Sequence, residues 1–381
     1  MPAEITKEYD VCFVAFNKIE NDARTINMAL TLSNFGKKVC IVGLVEHNIS
    51  QNENKFLAGV DLYQINHSPN PRMWNRWLTF SNETKKLKPI IKSEVFIAED
   101  LYSLHIVRRW TKKTGSKFIY DSREIYSALG PLYKNKFKQF LLSIYEKYFI
   151  RYVDEMIVSG QMDGEYLKKY FKHNVPYNLV LNLPYYKEPV KSNLIRDKYQ
   201  ISDNHIAVIY QGMILPGRGI NKIISALQHI ENAHFFILGE GGYRFQYEKL
   251  SEDIGVMNRV HFCGLIPYNE LHQWTCSADI GLVFIEPISF SYELALPNKL
   301  FEYCMAGLPS LVSDLPAMRD ILTHDNIGLL INVDLSPAQI AEKIRFLYAN
   351  KEKYKTKCRI ASMKYAYESQ QETILGMLDW K

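Results

Sequence analysis

HIAVIYQGMILPGRGINKIISALQHI, residues 205–230, decides the fold. An apolar run ends at Gln211-Gly212, a glycine-flanked turn follows, and a helical pattern extends from about Gly219 to His229. A buried strand that turns on glycine directly into a helix is the first half of a βα unit. Downstream the rhythm continues through AHFFILGEG (233–241), RVHFCG (259–264), ADIGLVFIEP (278–287), a helix around Lys299 to Ala306, and PSLVSD (309–314). Upstream it runs through VCFVAF (11–16), a helix from about Ala23 to Phe35 stopped by Gly36, KKVCIVGL, EVFIAED (94–100), KFIYD (117–121) and EMIVSG (155–160). Strands this apolar are covered on both faces, which predicts parallel sheets flanked by helices.

A chain of 381 residues exceeds one comfortable core. NLVLNLPYYKEP (178–189), with two prolines, interrupts the alternation and reads as a linker. The expected architecture is α/β: two Rossmann-like parallel-sheet domains facing each other across a cleft. Their bounds are placed at residues 1–184 and 185–360, with a closing helical segment at 361–381. The stretch from Pro337 to near Trp380 is long enough for more than one helix. In such sheets ligands sit outside the carboxyl ends of the strands.

Composition is globular, 47% hydrophobic and 23% charged, with no repeat and no disordered stretch. MPAEITKEYDVCFVAF lacks the apolar core and cleavage site of a signal peptide, and no window has the length and apolarity of a membrane span. The six cysteines, Cys12, Cys40, Cys263, Cys276, Cys304 and Cys358, stand singly without metal-like spacing. Together these predict a cytoplasmic protein with buried, reduced thiols and no metal site. Charge is uneven: residues 1–190 carry 27 Lys and Arg against 20 Asp and Glu, and the remainder 19 against 21. Basic groups cluster at Lys85, Lys86, Lys88 and Lys92, at Lys112, Lys113 and Lys117, and at Lys134, Lys136 and Lys138. A solvated basic face explains them as well as a phosphate-bearing partner does. No nucleic-acid signature accompanies them, so nucleic acid is not an expected partner.

Chemistry concentrates in the second half. Gly212 closes the first strand there, and Arg218, between Gly217 and Gly219, precedes a helix. Backbone amides at a helix start and a forked guanidinium suit phosphate oxygens, although a tight turn with a solvent-facing arginine fits the same residues. Gly239 and Gly241 in GEGGY permit close backbone approach to a ligand. The spacing is not the dinucleotide fingerprint, and FNKIEND, the first strand-loop of the chain, has no glycine, which weighs against a nicotinamide enzyme. In ELALPNKLFEYCMAGLPSLVSDLP (293–316) Lys299 falls in the first turn of a helix, against the helix dipole, and a bound diphosphate gives it a reason. Glu302, three residues on, could accept from a ribose diol or simply pair with that lysine. In the first half Asp22, Arg24, Asp100, His105, Asp121, Arg123 and Glu124 follow predicted strand ends and form a polar wall. His105 lies in a helical pattern and reads as a packed histidine.

These motifs resemble glycosyltransferase family 4, retaining enzymes with the GT-B architecture. The resemblance covers nearly the whole chain and is most specific from Gly264 through Asp314. YQG…GRG and FILGEG are similar to the family's donor-domain loops; NDAR, AEDLYSL and YDSREIY are similar to its acceptor-domain loops. It implies that Arg218 and Lys299 serve the donor diphosphate and, with Asp121 and Arg123, the reacting centre. It further implies that Gly212, Gly239, Gly241, Leu265, Ile266, Asn298 and Glu302 line the nucleotide sugar, with Glu302 on the ribose. The segment Tyr365 to Trp380 resembles the helix that crosses back onto the first domain. Three positions depart from the family: Met213 stands where an arginine is usual, Glu293 lies one position from the first glutamate of the pair, and Arg123 stands where many relatives have histidine.

The implied activity is transfer of a hexosyl or N-acetylhexosaminyl group from a nucleotide sugar to a glycan or lipid-linked glycan, with retention, in surface polysaccharide synthesis. No cofactor beyond the donor is expected and no metal is required. RMWNRWLTF (72–80) pairs tryptophan with arginine and suits the inner membrane surface as a peripheral site, or equally a helix packed on the core. The alternatives are a donor-binding but catalytically decayed partner protein, favoured by Met213, and a nucleotide-sugar epimerase of the same fold.

Overall fold

The computed structural model describes residues 6–45, 58–66, 72–128 and 135–378. The first five residues, Lys134 of the third basic cluster and the end of the closing segment at Trp380 lie outside them. The chain forms two compact units, Met1–Leu181 with Gln370–Lys381, and Asn182–Ser369.

In the first unit seven strands make one parallel sheet in the order β3-β2-β1-β4-β5-β6-β7. They are β1 Lys7–Lys18, β2 Val39–Val45, β3 Val60–Asn66, β4 Ile91–Ala98, β5 Lys117–Ser122, β6 Glu155–Val158 and β7 Tyr177–Leu179. β1 is central, pairing Val11 with Val39 of β2 on one side and with Val95 of β4 on the other. The second unit has a six-stranded parallel sheet, β10-β9-β8-β11-β12-β13. Its strands are β8 Ile206–Gln211, β9 Ala233–Leu238, β10 Val260–Gly264, β11 Ile280–Val283, β12 Ser310–Ser313 and β13 Gly328–Ile331. Every residue of β2, β8 and β9 is buried, as expected of strands covered on both faces. Strand order reverses between β1 and β4 in one sheet and between β8 and β11 in the other. Loops leaving neighbouring carboxyl ends there diverge to opposite faces and open a crevice.

Three strands depart from the sequence reading. β3 (VDLYQIN) alternates polar and apolar residues because it is an edge, and its Asp61 carboxylate accepts from Lys7 Nζ at 3.0 Å and from the Tyr9 hydroxyl at 2.5 Å. β7 runs into the segment read as a linker: Met156 N donates to Pro176 O at 2.8 Å and Val180 N to Val158 O at 3.0 Å, so main-chain pairing holds Tyr177–Leu179 in the sheet. β13 is only four residues long and was not separated from its surroundings.

Helices Pro337–Ala349 and Lys351–Lys364 belong to the second unit, and the chain returns to the first unit only at Gln370. There the Gln370 side chain accepts from Leu181 N at 2.8 Å and donates to Leu181 O at 3.0 Å. Helix Gln371–Gly376 follows, and Lys117 Nζ donates to the carbonyl of Met377 at 2.8 Å.

Candidate active site

At the carboxyl edge of the six-stranded sheet, glycine lets three loops approach each other through their backbones. Gly212 N donates to Leu238 O (2.9 Å), Ile214 N to Glu240 O (3.0 Å) and Gly239 N to Gly264 O (2.8 Å). Gly239 sits at φ +144, and a Cβ there would lie 2.0 Å from the Gly212 carbonyl oxygen; one on Gly241 would lie 2.3 Å from that of Ile214. These glycines therefore build a shelf of main chain. Leu265, 77% exposed, and Ile266 follow β10 at its margin.

Two cations converge beside that shelf. Arg218 ends the loop after β8; its guanidinium stacks 4.5 Å from the Tyr292 ring centroid and donates to the Tyr292 hydroxyl at 3.1 Å. Lys299 is buried in the first turn of helix Asn298–Met305, with Nζ 3.7 Å from the centroid of the Tyr210 ring. The Tyr210 hydroxyl donates to the carbonyl of Met213 at 2.7 Å, which fixes the ring under the ammonium. Among the described residues neither cation has a carboxylate at ion-pair distance. Burial, and next the Arg218 charge, push the Lys299 ammonium well below the ordinary lysine range, and Glu302 only partly opposes them. Asn298 is exposed at the same helix start.

Glu302 lies one turn further along. Its carboxylate accepts from Gln211 Nε2, while Gln211 Oε1 accepts from the Thr275 hydroxyl at 3.1 Å. Gln211, Thr275 and Glu302 line one pocket with Tyr268, Leu271 and His272. Burial raises the Glu302 carboxyl, and the Gln211 bond lowers it in part. Of the residues that depart from the family pattern, Met213 is 64% exposed and Glu293 is exposed at the end of the short helix Phe290–Glu293. Tyr210 and Gln211, within the YQG stretch, and Thr275 and Tyr292 have no role assigned by the sequence reading. The first two adjoin Gly212, a position that could have marked them; Thr275 and Tyr292 carry no local signal.

The first-unit candidates form a different kind of constellation. Arg123 donates through Nη1 to both oxygens of Asp22 (2.8 Å each), through Nη2 to Thr25 Oγ1 (2.6 Å) and Glu99, and through Nε to Asp121 at 3.4 Å. Arg24 grips the same Asp121 at 2.7 and 2.9 Å and donates to the Val180 carbonyl at 2.6 Å. Asp121 is wholly buried. In the structure the guanidinium of Arg123 and the carboxylate of Asp121 bond to their own chain, because five donors in a fixed fork meet three carboxylates and a hydroxyl. Asp100 is spent on Phe16 N (2.8 Å) and on Ser103 N and Oγ (2.9 and 3.1 Å). His105 is a packed histidine, bonded to Ser81 Oγ and Tyr102 O at 3.0 Å and tilted against the Trp77 ring. Glu99, not anticipated, is the third carboxylate of the network; burial lifts it to about 8, with Arg123 opposing.

Residues 191–363 match the family model of glycosyl transferases group 1. The lipopolysaccharide core biosynthesis glycosyltransferase LpsD of Rhizobium meliloti is 27% identical over 141 residues, 36% of this chain and 38% of LpsD. A GDP-mannose-dependent alpha-(1-6)-phosphatidylinositol monomannoside mannosyltransferase of Mycobacterium tuberculosis is 22% identical over 150 residues, 38% of this chain and 39% of that enzyme. The matched stretch therefore spans under two fifths of either relative. Among solved structures, Anabaena HepE in complex with UDP and glucose superposes with a TM-score of 0.75 at 13% identity, covering 98% of this chain and 100% of HepE. WaaG, a glycosyltransferase involved in lipopolysaccharide biosynthesis, gives a TM-score of 0.71 at 18% identity, covering 97% and 100%. The second unit is thus similar to glycosyl transferases group 1 over residues 191–363, and the fold of the chain is that of these GT-B structures.

Proposed function

We propose that the chain is a retaining glycosyltransferase that moves a hexosyl or N-acetylhexosaminyl group from a nucleoside diphosphate sugar to a glycan or lipid-linked glycan. The observation that carries this reading is the pair of cations, Arg218 and Lys299, gathered at the strand-order reversal of the second sheet with no carboxylate at ion-pair distance among the described residues. A diphosphate supplies the missing charge. As the bond from the anomeric carbon to the phosphate oxygen breaks, negative charge grows on that oxygen, and cations already in place lower the barrier without reorganising. The leaving phosphate takes the proton of the acceptor hydroxyl on the face it vacates, which retains configuration and asks for no protein nucleophile. Gly212, Gly239 and Gly241 offer backbone to the nucleotide, Glu302 takes the ribose hydroxyls, Leu265 and Ile266 border the base, and Asn298 stands by the sugar phosphate. Asp121 and Arg123 act as positioning residues that hold the first-unit loops. The relatives in lipopolysaccharide and phosphatidylinositol mannoside synthesis support a glycan acceptor carried on lipid, at the inner face of a membrane.

Calorimetry with a panel of nucleotide sugars and free nucleoside diphosphates tests the reading. One donor should bind with and without a chelator, and Lys299→Met should weaken it. Silence across the panel would favour the second reading, a decayed donor-site protein, for which the exposed Met213 in place of an arginine is the specific support.

A further inference from the structure

Helix Lys136–Ile150 carries an apolar face on its outer side. Phe137, Phe140, Leu141, Ile144 and Tyr148 follow the spacing of a single helical stripe. All five are outside: Phe137 is 69% exposed, Phe140 60% and Ile144 50%. The side that faces the core holds Gln139, Glu146 and Ile150. Contiguous apolar surface of this kind marks an interaction site.

Charge identifies the partner. Lys136, Lys138 and Lys147 are exposed on this helix and Arg151 is exposed just after it. Its one carboxylate, Glu146, is buried and accepts from the Tyr120 hydroxyl at 2.8 Å. A second copy docked on the same face would set these cations against their own counterparts. An acidic lipid surface neutralises them while the aromatic stripe enters the headgroup region.

The face continues onto helix Met73–Leu87, where Met73, Trp74 and Leu78 are exposed. Trp74 stacks on Trp77 at 5.1 Å, Trp77 meets the His105 ring at a tilt, 4.7 Å between centroids, and Tyr145 of the first helix reaches His105 Nδ1 at 3.1 Å. Both helices are crossovers that start at the carboxyl edge of the seven-stranded sheet, after β3 and after β5. Their exposed aromatic starts therefore lie along the edge that carries the Asp22, Asp100 and Arg123 loops.

We propose that this face docks the first unit on an anionic bilayer, with Phe137, Phe140, Leu141 and Ile144 in the interface and Lys136, Lys138 and Lys147 on acidic headgroups. Its purpose, bringing the loops of the first unit to a lipid-linked acceptor, rests on the function proposed above; the docking itself does not. The test is co-sedimentation of the full chain with vesicles of phosphatidylcholine alone or with about 30 mol % phosphatidylglycerol, at low and high salt. The wild type should pellet with the acidic vesicles and be released by salt. Phe137→Ser/Phe140→Ser and Lys136→Glu/Lys138→Glu should each lower partition at least about tenfold, since one basic residue alone contributes about fivefold. All four positions are exposed, and unchanged thermal melting will show that the variants fold. Absence of pelleting, or pelleting that neither double variant reduces, overturns the proposal. So does a wild-type dimer that Phe137→Ser/Phe140→Ser turns into a monomer with no vesicle binding at all. Donor calorimetry on the same samples separates the two ideas: intact donor binding without vesicle binding refutes only the docking, and the reverse refutes only the donor reading.

Discussion

Lys299 Nζ lies 3.7 Å from the centroid of the Tyr210 ring, and that ring is the interaction that holds the ammonium. A cation over an aromatic face gains about 0.5–2 kcal/mol. Removing an ammonium from water costs several kcal/mol. The balance is unfavourable to the charge, and Arg218 makes it worse. Such a lysine suits the diphosphate proposed above, which would restore its charge.

A proton should therefore enter with the ligand. Burial and Arg218 lower the free lysine, and a diphosphate raises it again, so binding draws a proton onto Nζ and weakens as pH rises between the two states. Calorimetry of nucleoside diphosphate binding in buffers of different ionisation heat reads this uptake directly. In Lys299→Met the uptake should vanish and affinity should fall about 10- to 100-fold, the loss of one charge-assisted contact. Uptake that survives in the variant would assign the proton to another group.

Gln211 is the second lever. It holds Glu302 with its amide nitrogen and is held by Thr275 through its oxygen, so one carboxylate oxygen is committed and the side chain is fixed in the pocket. Gln211→Leu should raise the donor KM about tenfold with a smaller change in kcat, the value of a single hydrogen bond to a charged group. Gln211→Glu should do worse, since it places a second carboxylate against Glu302. Equal kinetics for wild type and Gln211→Leu would remove the positioning role.

Much of this was legible in the sequence, for a physical reason. Strands buried on both faces are unbroken apolar runs, so β1, β2, β8 and β9 declare themselves; β3 and β7 are edges with polar residues and do not. Arg218 and Lys299 were readable because glycine or proline precedes them at a helix start, a local arrangement with local chemistry. What holds them was not: Tyr292 and Tyr210 are 74 and 89 residues away in the chain, respectively. Arg123 is the opposite case. Its place after a strand marked a polar wall, but Asp22, Thr25 and Glu99, which claim its donors, meet it only in three dimensions.

Arg123→Ala should accordingly be a folding defect. It strips buried Asp22 and Glu99 of their common partner while Asp121 keeps Arg24, and leaving a buried carboxylate uncompensated costs about 3–5 kcal/mol. Arg123→Lys should recover little, because a single ammonium cannot reach acceptors spread around a planar fork. Denaturant unfolding measures the loss, and nucleotide binding at native conditions should persist because every donor-site residue belongs to the second unit. A fully stable Arg123→Ala chain with abolished transfer would restore the catalytic reading.

Gly239→Ala should damage the donor shelf from within. The added carbon meets the Gly212 carbonyl oxygen at 2.0 Å in a conformation, φ +144, that side chains avoid. Main chain on both sides leaves nothing flexible to give way, so the loss should be about 3 kcal/mol or more, with donor binding weakened in whatever still folds. Gly242→Ala, three residues on, is the control: nothing lies within 4 Å of its Cβ position, and stability should hold.

Stability should fall toward both ends of the pH scale, for different reasons in the two units. In the first, burial lifts Glu99 and Glu146 to about 8. Between the ordinary carboxyl range near 4.5 and pH 8 the folded state binds protons that the unfolded chain has released, so stability declines as pH rises through that window. In the second, His234 and His261 sit in a hydrogen-bonded row with His205, at 3.0 Å per step, and burial lowers both to about 4. Here the unfolded chain takes up protons first, below its ordinary 6.5, and stability declines as pH falls from there toward 4. Thermal melting across pH should give a maximum near the crossing of the two limbs. Glu99→Gln, which fixes the neutral form, should flatten the alkaline limb and leave the acid limb as it is; His234→Phe should do the reverse. An alkaline limb of unchanged slope in Glu99→Gln would mean that Glu99 is already ionised beside Arg123 in the native protein.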